Sequence, residues 1–381
     1  MSQPVPILFL YPSLDVGGAE RQLQLLARGL DSNRFRPLVA VQHARGRVGD
    51  ELEVGGIPVH VLSDARRFDI GFPARTRALM RREGVRLVMT HGFSTGVVAR
   101  LAALVGGPPV RVLAEHTTDE RDMTAAKHFV NRCLARWATA WVAVSETQTS
   151  YLADVKNVPV SRLHVVRNGI DVERYGGHTS RARVREELGI APSAPVAGCI
   201  AVLRPEKDLI TLVHAAEQVV RALPDARFVI VGEGPERSAL RQEIIARGLE
   251  RVVHLAGFRD DIPDVLSAFD VAALSSRVEA MPVAFLEAMA SSLPLVGTQV
   301  GAVVELIEPE RNGLLVPPGD VAALGAALVR VLGDLETARL WGSASRRRVE
   351  AEYSVDRMIR AYETLFAELL AAAGIDVAAP A

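Results

Sequence analysis

The feature that most constrains the fold of this chain is an alternation of short apolar runs with longer segments of helical spacing, which occurs twice. Near-continuous apolar strands are typical of parallel sheets that carry helices on both faces. The runs are PILFLYP, RPLVAVQ, VRLVMT, VRVLAEH and WVAVSE in the first half, then PVAGCIAVL, ARFVIVGEG, RVVHLAGF, VAALSS and LPLVGT in the second. The alternation predicts an α/β fold with two doubly wound parallel sheets.

Length and apolar content agree with two domains, because 381 residues that are 49% hydrophobic exceed what one core usually holds. No apolar run approaches the roughly 18 residues needed to cross a bilayer, and the N-terminus lacks the basic start and cleavage site of a signal peptide. We therefore expect a cytoplasmic protein. Cys133 and Cys199 are too few for a zinc or disulfide framework, and we expect both to be buried as small apolar side chains.

A segment rich in Gly, Pro and charge, residues 172–195, is the predicted linker between the domains. We assign residues 1–185 to the first domain, 186–355 to the second and 356–381 to a final helix. The charge changes sign along the chain: residues 1–190 hold 26 Lys and Arg against 19 Asp and Glu, and the remainder holds 18 against 26. A basic stretch at 75–86 could attract an anionic membrane surface or an acidic acceptor, or it could be a solvated helix face.

Loops that follow the strands are where such sheets bind ligands, and the first of these loops contains Gly17 and Gly18 before an amphipathic segment. Paired glycines allow close approach of backbone to a ligand, and the amides of a helix start favour an anion. The pair could equally be a simple turn, since the spacing differs from the dinucleotide-binding fingerprint.

A second loop, LRPEKD, combines Pro205 with Arg204 and Lys207, and we predict that a helix begins at Pro205. Helix amides and two cations at one place are suited to a diphosphate, including the charge that develops as it leaves. The alternative is that Glu206 and Asp208 merely pair with these cations on the surface.

Two carboxylates, Glu279 and Glu287, stand on either side of Pro282 in a segment that is otherwise mostly apolar. With Pro282 as the first helical residue, Glu279 lies in the preceding loop and Glu287 more than one turn inside the helix. Carboxylates only accept hydrogen bonds, so two of them suit a hydroxylated ligand better than an anion. The alternative is a surface loop residue and a structural cap.

The stretch EAMPVAFLEAMASSLPLVGTQVGAVVEL resembles the E-x7-E region of retaining glycosyltransferases of family four. The blocks LRPEKD, VIVGEGPE, VRNGIDVERY and NGLLVPPGD match others of that family, and the likeness runs from GGAE to the final helical segment. It implies the GT-B architecture, in which two Rossmann-like domains face a central cleft and the final helix returns to the first domain.

The same resemblance implies an activity: retaining transfer of a sugar from a UDP or GDP sugar to a saccharide or lipid-linked acceptor, in cell-surface polysaccharide or glycoconjugate synthesis. It implies no metal, no cofactor besides the donor, no covalent nucleophile and no nucleic-acid partner, with peripheral association at the inner membrane surface as an option. A catalytically silent nucleotide-sugar-binding subunit, a sugar-nucleotide epimerase and a phosphorylase are the alternatives.

Residue roles follow from the resemblance where positions match. Glu279 corresponds to the glutamate that contacts the donor sugar, and Glu287 to the one that binds the ribose. Lys207 corresponds to the lysine on the diphosphate, while His116 corresponds to a histidine that reaches the transferred sugar. The remaining assignments are backbone amides of Ala280, Met281, Pro282 and Val283 for the donor, Gly17 and Gly18 beside the phosphates, and Glu20 and His91 on the acceptor side.

The chain also departs from the family pattern. Val202 stands where an arginine usually accompanies the lysine, and Arg204 is the candidate to deliver its charge. Ala280, Ser292 and Ala302 replace frequent glycines, which could narrow the donor pocket.

Overall fold

The structure, a computed structural model, describes residues 3–15, 17–63, 69–116, 124–177 and 180–379. The chain divides into two compact units: unit 1 is Met1–Gly169 with Val355–Ala381, and unit 2 is Ile170–Ser354. These units are defined by packing and not by independent folding, so the domain ranges 1–185, 186–355 and 356–381 stay a prediction.

Both units are built on parallel sheets, with seven strands in the described part of unit 1 and six in unit 2. The spatial orders are β3-β2-β1-β4-β5-β6-β7 and β10-β9-β8-β11-β12-β13. The strands are β1 (Val5–Tyr11), β2 (Phe35–Val41), β3 (Val59–Val61), β4 (Leu87–His91), β5 (Val110–Glu115), β6 (Ala140–Ala143), β7 (Leu163–Val165), β8 (Val196–Ile200), β9 (Arg227–Val231), β10 (Val253–Gly257), β11 (Val271–Leu274), β12 (Leu295–Thr298) and β13 (Gly313–Val316). In both sheets the order reverses beside a central strand, which confirms the predicted doubly wound fold class.

Helices connect successive strands in both units. They are α1 (Gly18–Gly29), α2 (Gly46–Val54), α3 (Phe72–Arg82), α4 (Phe93–Ala102), α5 (Ala125–Leu134), α6 (Glu146–Asp154), α7 (Arg181–Glu187), α8 (Leu209–Ala222), α9 (Arg237–Ala246), α10 (Ile262–Ser267), α11 (Val283–Ala290), α12 (Val303–Leu306), α13 (Val321–Gly333), α14 (Leu335–Glu352) and α15 (Val355–Ala372). None of the described helices is both long and apolar enough to cross a lipid bilayer.

Apolar side chains cover both faces of the unit 1 sheet. On one face the strands pack with α1, α2 and the last helix, α15, whose Phe366 and Leu370 are fully buried. On the other face they pack against α3 and α4, through Leu79 and Val98 among others. The final helical segment of the chain is therefore part of the core of unit 1.

Much of the predicted linker is packed into unit 2. Arg185 on α7 is buried, and its guanidinium donates to the carboxylate of Asp270 at 2.8 Å and to the carbonyl of Ala268 at 3.0 Å. A buried arginine is stable only when its donors are satisfied in this way. Residues 181–187 are thus a fixed helix of unit 2 and not an exposed tether.

The ten predicted apolar runs coincide with ten of the strands, whereas β3, β7 and β13 were missed. All three lie at sheet edges and have only three or four residues. Edge strands of this length bury too little surface to need a long apolar run.

Three local expectations need correction. Pro205 begins a 3-10 helix, Pro205–Lys207, and the long helix that follows begins only at Leu209. Pro282 caps α11 instead of beginning it, because its ψ of 110° is extended. Cys133 is exposed, while Cys199 is buried as expected, and burial raises the pKa of the Cys199 thiol to about 12.

Candidate active site

The structure brings Lys207 and Glu279 together at the carboxyl ends of two neighbouring strands of unit 2. Lys207 follows β8 and Glu279 follows β11; the Lys207 Nζ donates to Glu279 Oε1 at 2.6 Å. The hydroxyl of Ser276 donates to the same oxygen at 2.7 Å. The Glu279 side chain is only 6% exposed and that of Lys207 is 21% exposed. Burial of a carboxylate is costly without partners, and here both a cation and a hydroxyl bind it.

The turn that carries Lys207 has an unusual backbone conformation. Asp208 has φ 45° and ψ 45°, which is the left-handed region and costs a non-glycine residue about 1–2 kcal/mol. The buried hydroxyl of Ser275 donates to the carbonyl of Lys207 at 3.1 Å and to that of Asp208 at 2.9 Å. These bonds fix the direction in which the lysine leaves the backbone.

Gly301 is a site residue that the sequence analysis missed. Its φ is +44°, and a Cβ at this position would lie 1.6 Å from the carbonyl oxygen of Glu279. Only glycine allows the loop after β12 to approach the Glu279 loop so closely. The signal in the sequence is the motif V-G-A at 300–302, in which Gly301 precedes the fully buried Ala302.

Glu287 lies in α11, the fifth residue of that helix, as the spacing predicted. Its Oε1 accepts a hydrogen bond of 2.8 Å from the hydroxyl of Tyr175, a buried residue at the start of unit 2. Tyr175 was not predicted as a site residue; it belongs to the VRNGIDVERY block. The bond fixes one oxygen of the carboxylate.

The loop between the two glutamates is ordered and mostly buried. Ala280 and Met281 are each 5% exposed, Pro282 is buried, and Val283 begins α11. The first amides of a helix have no partner within it, and α11 begins directly after this loop, so the start of the helix lies close to Glu279 in the chain.

Arg204 does not join the Lys207–Glu279 pair. It is exposed, and among the described residues its guanidinium makes no hydrogen bond or ion pair. Val202, at the position of the usual arginine, is 38% exposed. Lys207 is therefore held by a carboxylate at this site, whereas the side chain of Arg204 makes no such contact among the described residues.

In unit 1, Tyr11, His91 and His116 gather at the carboxyl ends of adjacent strands β1, β4 and β5. The rings of Tyr11 and His91 stack with centroids 5.2 Å apart, and His116 meets His91 edge-on, also at 5.2 Å. His91 Nδ1 and His116 Nε2 are buried, and neither has a hydrogen-bond partner among the described residues. Buried polar atoms without partners are costly, so such a pair is typical of a place where a ligand supplies the missing bonds.

Burial also determines the charge of this cluster. It lowers the pKa of His116 to about 3, helped by the neighbouring His91. Burial likewise raises the pKa of Tyr11 well above its ordinary value, with further contributions from Tyr362 and Glu20. Near pH 7 both His116 and Tyr11 are therefore neutral and act as hydrogen-bonding groups without charge.

Gly17 and Gly18 lie at the start of α1, as predicted. Gly17 is the N-cap and Gly18 the first helical residue, and Glu20 lies in the first turn. A Cβ on Gly17 would come within 2.3 Å of the Glu20 carboxylate, so glycine leaves room for that side chain over the helix start. The first amides of α1 and the Glu20 carboxylate therefore lie together at the start of this helix.

Comparison with known proteins agrees with these sites. The family described as Glycosyltransferase Family 4 matches residues 16–174, and the family described as Glycosyl transferases group 1 matches residues 194–334. The first match contains the glycine and histidine residues of unit 1. The second contains Lys207 and both glutamates.

Two curated relatives and one solved structure illustrate the likeness. The chain is 33% identical over 379 residues to the 2-deoxystreptamine N-acetyl-D-glucosaminyltransferase of Streptomyces fradiae, covering 91% of this chain and 90% of the relative. It is 26% identical over 304 residues to the UDP-Gal:alpha-D-GlcNAc-diphosphoundecaprenol alpha-1,3-galactosyltransferase of Escherichia coli, covering 77% and 78%. The Anabaena Alr3699/HepE structure in complex with UDP-glucose superposes with a TM-score of 0.82 at 25% identity, covering 95% of this chain and 99% of that one.

Two parallel-sheet units with polar sites at the ends of their strands, together with these likenesses, define a glycosyltransferase of the GT-B fold. The match to the Streptomyces fradiae enzyme extends over nearly the whole of both chains. The chain belongs to glycosyltransferase family 4.

Proposed function

We propose that this enzyme transfers a glycosyl group, with retention at the anomeric carbon, from a UDP or GDP sugar to a saccharide or lipid-linked acceptor. The observation that carries the proposal is the Lys207–Glu279 pair at the ends of β8 and β11. It places a cation for a diphosphate beside an acceptor-only group for sugar hydroxyls. The Escherichia coli relative is named for transfer of galactose from UDP-Gal to a diphosphoundecaprenol-linked sugar, which supports a nucleotide-sugar donor and a lipid-linked acceptor here.

In this proposal, unit 2 holds the donor. Lys207 and the exposed Arg204 neutralise the diphosphate. Glu279 accepts hydrogen bonds from the sugar, with help from the backbone of the loop at 280–283, in which every residue except Pro282 has an N–H. Glu287, oriented by Tyr175, accepts from the ribose hydroxyls. Neutral His116 and the amides of Gly17 and Gly18 contact the transferred sugar and the phosphates, while His91 and Glu20 serve the acceptor.

The chemical step that fits these groups needs no covalent enzyme intermediate. The acceptor oxygen bonds to the anomeric carbon while the bond from that carbon to the phosphate oxygen breaks. The acceptor proton passes to the departing phosphate. Charge that develops on the diphosphate is met by Lys207, and one such preorganised donor is typically worth about 3 kcal/mol of barrier. Glu279 orients the sugar and takes no proton.

The test is acceptor-dependent release of nucleoside diphosphate. Purified enzyme is offered UDP and GDP sugars, each with and without saccharide and lipid-linked acceptors, and the anomeric configuration of the product is determined by NMR. We expect release only when donor and acceptor are both present, and a product with the configuration of the donor. Donor binding without turnover across all acceptors would support a silent subunit, and conversion of donor without acceptor would support an epimerase.

The proposal also places the enzyme in the cytoplasm, peripherally on an anionic membrane surface. Leu101 in the last turn of α4 and Leu104 and Val105 just after that helix have exposed apolar side chains. Arg77 on α3 donates to the carbonyl of Val105. The exposed Arg81 lies one turn further along α3. Apolar groups beside several arginines are typical of an interfacial membrane contact.

Sedimentation with vesicles tests this surface. We expect binding to vesicles that contain phosphatidylglycerol and little binding to pure phosphatidylcholine. Leu104→Gln should reduce binding, whereas Leu340→Gln, which changes a leucine of unit 2 that is 65% exposed, should not. Equal binding by both variants, or none by the unchanged enzyme, would argue against the membrane contact.

A further inference from the structure

Arg277 is a residue to which neither the sequence pattern nor the comparisons assign a role. It lies in the loop after β11, two residues before Glu279. Its Nε donates to the Asp208 carboxylate at 2.9 Å, and its backbone N–H donates to the carbonyl of Glu206 at 2.8 Å. One residue of the Glu279 loop therefore holds the Lys207 turn by both side chain and backbone.

Asp208 is the point at which this contact acts. Its side chain is 10% exposed, while that of Arg277 is 64% exposed. The same carboxylate oxygen also accepts from the hydroxyl of Thr211 in the first turn of α8, at 2.9 Å. A left-handed aspartate is thus bonded on one side to its own helix and on the other to the Glu279 loop.

Left-handed conformations of non-glycine residues persist only where the surroundings hold them. The hydrogen bonds from the Ser275 hydroxyl contribute to this, but they reach the carbonyls of residues 207 and 208 and not the Asp208 side chain. The bond from Arg277 is the charged contact that holds that side chain. Because the Arg277 side chain is largely exposed, it has space to follow small movements of the Lys207 turn.

We propose that Arg277 is a positioning residue which, through Asp208, fixes the Lys207 turn relative to the Glu279 loop, so that cation and carboxylate meet the donor in one geometry. The catalytic consequence of this inference rests on the proposed function, whereas the Arg277–Asp208 contact itself is a feature of unit 2 alone. Arg277 acts through Asp208 and Lys207 and is not itself a catalytic residue.

A matched control exists within unit 2. Glu310 is also a left-handed acidic residue, with φ 64°, and its carboxylate accepts from Arg330 Nη1 at 2.6 Å. Glu310 precedes β13, at the amino end of that strand and so opposite the Lys207 turn, and Arg330 reaches it from α13. Arg330→Ala removes the same kind of bond from the same kind of backbone without touching the donor loops.

The first measurement is hydrogen exchange in unliganded enzyme, followed by mass spectrometry of peptides that cover residues 204–209. We expect Arg277→Ala to accelerate exchange there at least fivefold, Arg330→Ala to leave it unchanged, and Arg277→Lys to restore most of the protection. Unchanged exchange in Arg277→Ala would overturn the inference whatever reaction the enzyme catalyses.

The second measurement is steady-state kinetics with the donor varied. Arg277→Ala should lower kcat/KM for the donor about tenfold, leave the acceptor KM within twofold, and be partly rescued by Arg277→Lys. Combining Arg277→Ala with Asp208→Asn should cost little more than either alone, because both remove one contact. Additive losses, or kinetics equal to those of Arg330→Ala, would contradict the positioning role, while absence of transfer by unchanged enzyme would instead defeat the proposed function.

Discussion

The carboxyl edges of the two sheets carry side chains of contrasting chemistry. In unit 2 the groups are charged and already paired, with Lys207 on Glu279 and Tyr175 on Glu287. In unit 1 the cluster around His91 and His116 is aromatic, and two buried nitrogen atoms lack partners among the described residues. The unit 2 edge is preorganised by its own contacts, whereas the unit 1 edge has buried nitrogen atoms to which a ligand could bind.

The difference follows from the cost of burial. A charge taken out of water needs an opposite charge and hydrogen bonds, so the donor-side groups of unit 2 hold one another. A histidine can instead give up its charge, which is why burial lowers the pKa of His116 to about 3. Unit 2 is therefore suited to an anionic diphosphate, and the unit 1 edge to neutral hydroxyl groups.

The largest effect is expected from removing the fixed cation. Lys207→Ala should lower kcat/KM by about 10²- to 10³-fold, because it removes a charge that faces the departing diphosphate. Arg204→Ala, which removes an exposed and unpaired cation, should cost only about tenfold, since exposed charges are screened. Steady-state kinetics of both variants test this order. A larger loss of kcat/KM in Arg204→Ala than in Lys207→Ala would mean that Arg204 is the main cation for the diphosphate.

The packing of the unit 2 site is tested by Gly301→Ala. The new Cβ would strike the Glu279 carbonyl, so we expect a loss of about 2–4 kcal/mol in the free energy of unfolding, combining left-handed strain with overpacking. Gly319→Ala is the matched control, because Gly319 has φ +76° and open space around its Cβ. It should lose only the strain, about 1–2 kcal/mol. Equal urea midpoints for the two variants would mean that the Glu279 loop moves away from the new Cβ with no loss in the free energy of unfolding.

The neutral character of the unit 1 cluster is tested through pH. In the unfolded chain His116 takes up a proton below about pH 6.5, whereas in the folded protein its pKa is about 3. The free energy of unfolding therefore falls as the pH drops from 6.5 towards 3. His116→Gln should flatten that fall and lower transfer roughly tenfold by losing a neutral hydrogen bond. If kcat/KM of the unchanged enzyme changed with pH around 6.5, and this change were absent in His116→Gln, the His116 ring would instead be charged during turnover.

The smallest effect should come from Ser292, one of the departures from the family pattern. Ser292 has φ 58° where the family often has glycine. Ser292→Gly should therefore raise the free energy of unfolding by about 1 kcal/mol. Ser291→Gly, at the preceding residue with φ −88°, should not stabilise the protein. Thermal melts of both variants with unchanged kinetics would show that the departure concerns backbone strain and not donor choice.

The sequence predicted the central strands and the carboxylate spacing for a clear reason. Strands buried on both faces must be apolar throughout. A proline next to the start of a helix indicates which neighbour lies in the loop, so Glu279 and Glu287 fall where expected, although Pro282 is the cap and not the first residue of α11. Edge strands such as β7 carry no such requirement. The start of α8 was misplaced because the left-handed conformation of Asp208 leaves little trace in composition.

The sequence by itself determined the two doubly wound sheets, the family and the residues that could hold a donor, since periodicity, turn residues and ordered motifs are local properties of the chain. Only the tertiary structure decided that Lys207 meets Glu279, that Gly301 must lack a side chain and that Arg277 holds Asp208. These contacts join loops that follow different strands. Their distances depend on how the sheet twists and how its helices pack, which no single segment specifies.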